Sequence, residues 1–118
     1  NSQEYSGMSF FQSEFVQKEM EEITKLQEKI YESVFKFHIM SSSQKLEHIE
    51  ILEELLNKQK ILYTRLSLSD DPAAQKMKEN IMKEAKMIGF PDNVSLTTVF
   101  SNMSSMINSM KKSIGNGG

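Results

Sequence analysis

The chain has 118 residues, nine Met, no Cys or Trp, and a formal net charge of -2 from 14 Lys+Arg against 16 Asp+Glu. Without cysteine there is no disulfide framework, thiolate metal site, redox dithiol or cysteine nucleophile, and a slightly acidic chain is not a general polyanion binder, because that affinity rests on Lys/Arg neutralisation. No apolar run approaches the roughly 20 residues that span a bilayer, and no basic-then-apolar signal opens the chain, so the expectation is one soluble, cytoplasmic domain.

The apolar share is 38%, drawn mostly from Met, Ile, Leu and Phe, with only five Gly and two Pro. That supply suits amphipathic helices that stack one stripe each, and is too lean in apolar and turn residues for a sandwich or a doubly wound sheet. The polar segment 1–7 ends in Gly7 just before Met8. We read it as tag residue or a disordered extension, residues 8–114 as a single helical domain, and Gly115–Gly118 as a flexible tail.

The spacing predicts a first helix from about Ser13 to Met40. Its seam runs through Val16, Met20, Ile23, Ile30, Val34 and Phe37, alternating four and three, with Gln27 in the one polar gap. Leu26 and Phe35 widen that seam. Such a helix would be about 40 Å long. Ser41, Ser42 and Ser43 break the pattern, and Ser41 with Gln44 fits a capping box. A second helix follows from about Gln44 to Leu66. Leu46, Ile49, Leu52, Leu56, Tyr63 and Leu66 share one face, Gln59 fills its polar gap, and Ile51, Leu55 and Leu62 lie beside it. The short serine turn makes the two an antiparallel hairpin.

Asp71 as N-cap and Pro72 at the first helical position start a third helix, to about Ile88. Gly89 is its expected left-handed stop and Pro91 forbids resumption. A fourth helix opens at Ser95, with Val94 and Val99 placed for a hydrophobic staple. Its apolar residues are Leu96, Val99, Met103, Met106 and Met110, with Phe100 and Ile107 alongside, and its polar face is Ser and Asn rather than charge. The expected fold is therefore all-α, a long antiparallel helical hairpin plus two shorter helices.

Site chemistry is sparse, and no catalytic residue, cofactor site or metal site is assigned. His38 and His48 read as two surface histidines near the serine turn. A ferritin-like centre needs Glu three residues before each His, and Phe35 and Lys45 stand there instead. Glu47, Glu50 and Glu54 share a helical face. They would form an acidic patch for a basic partner, against the favoured reading of a solvated face. There is no Gly-rich phosphate loop and no Ser/His/Asp triad, and Lys111 with Lys112 is too short for a basic tract. The methionines gather in the last two helices. Flexible, polarizable Met suits adaptable binding surfaces. For Met103, Met106 and Met110, a core or subunit interface is favoured over a promiscuous groove.

Three segments carry a family resemblance. Met8-Ser9-Phe10-Phe11-Gln12-Ser13, continuing to Val16-Gln17-Lys18-Glu19, resembles the opening of a small cyanobacterial and cyanophage protein family, which begins Met-Gly-Phe-Phe-Asp-Ser and continues to Val-Gln-x-Glu. Leu52-Glu53-Glu54-Leu55 and Leu66-Ser67-Leu68-Ser69-Asp70-Asp71 are similar to its Met-Glu-Glu-Leu and Leu-Ser-Asp-Asp stretches, and Val99-Phe100-Ser101-Asn102-Met103 to a Met-Phe-Asp-Gln-Met block. The family is catalogued as a domain of unknown function, so the resemblance implies a small helical protein and a source class, leaning to the phage branch. It transfers no catalytic residue. Ser9, Gln12 and Leu96 depart from its Gly, Asp and Pro. Phe10 and Phe11 lie outside the first helix's stripe, as a hydrophobic plug or as a docking element for a partner.

The expected function is a non-enzymatic helical interaction or regulatory module, self-associating as a dimer or higher, and acting on a host cyanobacterial protein in the host cytoplasm if phage-encoded. The candidate partner-binding residues are Phe10, Phe11, Glu47, Glu50, Glu54, Met103, Met106 and Met110. A nucleic-acid-associated helical regulator is the alternative, which the net charge disfavours.

Overall fold

The computed structural model describes residues 10–92 and 95–116. Within them the chain is all-α, with α1 (Glu14–Ser33), α2 (Ser42–Leu68), α3 (Pro72–Met87) and α4 (Leu96–Asn116), and 3₁₀ turns at Phe10–Gln12 and Val34–Ile39. The segment expected as an N-terminal extension, residues 1–7, lies outside the described residues. So does Val94, one side of the expected staple.

The helix boundaries follow from local chemistry. The Ser13 hydroxyl accepts from the Val16 N–H at the start of α1. At α2 the capping box forms in both directions: Ser41 Oγ accepts the Gln44 N–H at 3.2 Å, and Gln44 Oε1 accepts the Ser41 N–H at 3.0 Å. Asp71 Oδ1 accepts the Ala73 N–H at 3.0 Å, with Pro72 at the first position of α3. That helix stops at Gly89, whose φ is +106°. The Gly89 N–H donates to Lys86 O and the Phe90 N–H to Ala85 O, at 3.1 and 3.0 Å, the paired bonds of a Schellman stop. Ser95 caps α4 through the Thr98 N–H.

The first helix departs from expectation. Its α-helical part ends at Ser33, and Val34–Ile39 continue as a 3₁₀ turn rather than as helix to Met40. Ser33 Oγ donates back to Lys29 O at 3.0 Å. Val34, Phe35, Phe37 and Ile39 are then β-branched or aromatic, which lose χ1 freedom against the preceding turn. Tightening to three residues per turn moves Phe35 out of the seam, where it is 85% exposed. The fourth helix is not short. It has 21 residues against 20 for α1, and it runs through Gly115 and Asn116, two residues into the expected tail.

α2 is the centre of the molecule, because α1, α3 and α4 all pack on it. Glu22 meets Lys58 while Ser33 meets His48, so α1 runs antiparallel to α2. Phe100 meets Tyr63 while Lys111 meets Glu53, so α4 runs antiparallel to α2 as well. α1 and α4 are therefore parallel to each other, on two flanks of one helix. The core is accordingly two clusters. Ile23, Leu26 and Leu55 join α1 to α2, and Ile49, Leu56 and Ile107 join α2 to α4. A central helix of this kind needs apolar residues around most of its girth, which explains why α2 carries Ile51, Leu55 and Leu62 beside its main stripe.

Candidate functional site

The two outer helices leave a trough above α2. Its deeper part is a cleft of about 520 Å³. Met20, Thr24 and Gln27 of α1 form one wall, Leu96, Val99 and Phe100 of α4 the other, and Gln59, Leu62, Tyr63 and Leu66 of α2 the floor. Met77 and Ile81 of α3 close one end together with Phe10 and Phe11. Past Gln59 the trough continues as a groove of about 170 Å³ between α2 and α4, lined by Leu52, Leu55, Leu56, Met103, Met106 and Met110 among others. Among the described residues no charged side chain lines either part.

Phe10 and Phe11 are half-buried and meet edge to face, with ring centroids 5.1 Å apart. The Phe10 N–H donates to Asp71 Oδ2, while Oδ1 of the same carboxylate caps α3. One side chain thus starts a helix and anchors the N-terminal turn upon it. The pair is seated against the chain's own helices, as the plug of the cleft. Met103 and Met106 are exposed on the rim, Met106 by 64%, and Met110 is half-buried and packs on the Ile49 cluster.

Glu47, Glu50 and Glu54 lie elsewhere. All three are exposed on α2, and Glu50 and Glu54 line a separate groove between α1 and α2 with Glu19, Glu53 and Lys58. By the 100° step of a helix, that groove lies on the far side of α2 from Gln59 and Leu66. The eight candidate residues therefore divide between two faces. Phe10, Phe11 and the methionines border the trough, and the glutamates border the opposite, charged side. There Lys58 bridges to Glu22 at 2.6 Å and Glu19 at 3.7 Å, and Lys111 of α4 meets Glu53 at 2.6 Å.

His48 corrects the expectation of two surface histidines. It is buried, with Nδ1 2.8 Å from Ser33 Oγ and its ring 5.3 Å from Phe37. Ser33 Oγ also lies 3.0 Å from Lys29 O, so the one hydroxyl links the α1 backbone to the His48 ring. Ten residues and a turn separate His38 from His48, but only His38 is exposed. The reason is the 3₁₀ turn, which rolls Phe37 over the His48 ring.

Sequence reasoning also missed Met20 and Met77 as trough residues, since both stand in apolar stripes that read as core. The signal that could have found the trough was the pair of polar gaps. Gln27 and Gln59 are the single interruptions of two otherwise apolar seams, and both face the same cleft. Neither amide has a hydrogen-bond partner among the described residues, where no three His, Asp or Glu side chains converge as a metal site requires. No helix there is long and apolar enough to cross a membrane.

No curated protein matches the chain, and no solved structure does. The three resembling segments lie on the plug, on α2 with the α3 cap, and on the rim of α4, and residues 8–114 match one family throughout: the chain belongs to the family described as a domain of unknown function (DUF1825).

Proposed function

We propose that this chain is a non-enzymatic helical module that acts by binding protein, and that the trough between α1 and α4 is its contact surface. The carrying observation is that the folded chain leaves an uncharged apolar trough open and lines its rim with methionine. Met20, Met77, Met103 and Met106 are each more than one-third exposed. Isolated apolar surface residues are ordinary, whereas a contiguous patch marks a site of association. Flexible thioether side chains let such a surface repack against an incoming helix. The source class implied by the sequence resemblance makes a cyanobacterial protein or complex the partner, with a phage-encoded regulator acting in its host.

The test is affinity capture from a cyanobacterial extract with two baits, the wild-type chain and a Met103→Glu/Met106→Glu variant, each checked for helix content. The expected result is a protein held by the wild type and lost by the variant. Equal capture by both baits, or capture by neither, overturns the reading.

A further inference from the structure

We infer that the occupant of the trough is a second copy of this chain, seated reciprocally about a two-fold axis so that the Met103–Met106 rim of each α4 enters the trough of the other. The inference rests on the trough being a contact surface, and it names what fills it in the free protein; a host protein that takes the same trough does so by displacing the second copy. Three observations carry it.

The first is electrostatic. A two-fold interface presents the same patch on both sides, so any charge near the axis meets its own sign. Among the described residues the trough has no charged lining side chain, and α4 has none from Leu96 to Met110. A helix with a solvent-facing polar side normally carries charge there. This one carries Ser, Thr and Asn, which can be covered by protein without stranding an ion.

The second is hydrogen bonding. The polar groups on the trough are the Gln27 and Gln59 amides and the Thr24 and Tyr63 hydroxyls. The two amides and the Tyr63 hydroxyl are each both donor and acceptor, so each can pair with an identical group of another copy, while Thr24 Oγ1 donates to Met20 O and offers an acceptor only. A partner of opposite charge finds nothing to recognise, whereas a copy of the same chain satisfies the two unpartnered amides. Polar residues set singly into apolar seams are a known device for fixing helix register and oligomer order.

The third is area. The accessible surface is 8575 Å², against about 6,600 Å² for a folded monomer of this mass. Allowing residues 1–9, 93–94 and 117–118 the largest area a chain segment can expose still leaves roughly 600 Å² of excess over the whole elongated molecule, the trough included. One partner in a standard interface covers about 800 Å².

Sedimentation equilibrium at tens of micromolar tests the inference. The expected mass is twice the 13.6 kDa of the chain. Met106→Glu, placed on an exposed rim position, is expected to weaken dimerisation by at least about tenfold. Phe35→Glu, at the exposed 3₁₀ turn outside the trough, should leave the dimer unchanged. A wild-type mass of one chain, or a Met106→Glu dimer of wild-type strength, overturns the inference. Should Met106→Glu fail to fold, the absence of cysteine in the chain makes single-cysteine variants decisive. Met106→Cys should be cross-linked between chains by a short bis-maleimide and Phe35→Cys should not, and the reverse pattern overturns the inference. A monomeric chain that still captures a host protein through Met103 and Met106 would remove the second copy and keep the interaction reading.

Discussion

Lys58 fastens the hairpin at one residue. Its hydrogen bond to Glu22 holds that carboxyl below the usual carboxylate range, against an opposing push from desolvation. The same bond from Glu22 raises the Lys58 ammonium above its ordinary value. A lowered carboxylate pKa contributes stability above the unfolded value, and that contribution is lost as pH falls through the folded value. A raised ammonium pKa contributes below the unfolded value, and is lost as pH rises through the folded one. Lys58→Met should therefore lower Tm at neutral pH, with the gap to wild type closing below about pH 4, where carboxylates protonate. Thermal melts across pH 3–8 check this, and a gap that widens in acid would contradict the pairing. Neither partner stood out in the sequence, because their pairing depends on the register of α1 against α2. His48 was less legible still, since nothing in its neighbours announces a 3₁₀ turn that folds Phe37 over it.

At the scale of elements, caps were the readable feature. Serine, Asp-Pro and Ile-Gly-Phe-Pro signals act within four residues, so α2, α3 and the start of α4 lie where local chemistry puts them. The serine turn allows a sharp check. Ser41 both accepts from and is bonded by Gln44, while Ser42 and Ser43 are exposed in the first turn of α2. Ser41→Ala should cost about 1 kcal/mol of stability in urea unfolding. Ser42→Ala and Ser43→Ala should stay within about 0.5 kcal/mol of wild type. Equal losses at all three positions would mean the box contributes nothing. The end of α1 was not readable in this way. A seam alternating four and three suits α-helix, and Val34 with Phe37 also suits the period of a 3₁₀ turn, so the pattern does not say where one gives way to the other. The hydroxyl of Ser33 and the crowded side chains after it decide.

At the scale of the whole molecule, the principal extents of 60, 32 and 20 Å describe an elongated slab, and among the described residues no large side chain is less than 2% exposed. The hairpin was legible because each half has a stripe. The trough was not, because its two walls belong to helices separated by all of α2 and α3, and only packing shows that α1 and α4 flank α2 instead of meeting. In so open a slab the ends need fastening, and Phe10 and Phe11 supply it at one end. Their rings lie over the cleft mouth while Asp71 ties the Phe10 backbone to α3. Half-burial of two Phe side chains is worth about 2–3 kcal/mol in all. A Phe10→Ser/Phe11→Ser variant should lose about that much in chemical unfolding, and should open the α3 end of the trough to exchange. A docking element held out for a partner would instead show wild-type stability with loss of binding alone. Hydrogen exchange at Ala73 and at the Met77 turn separates the two outcomes. Anchoring predicts faster exchange there in the variant, because the plug and the cap share one carboxylate. A free docking element leaves α3 untouched.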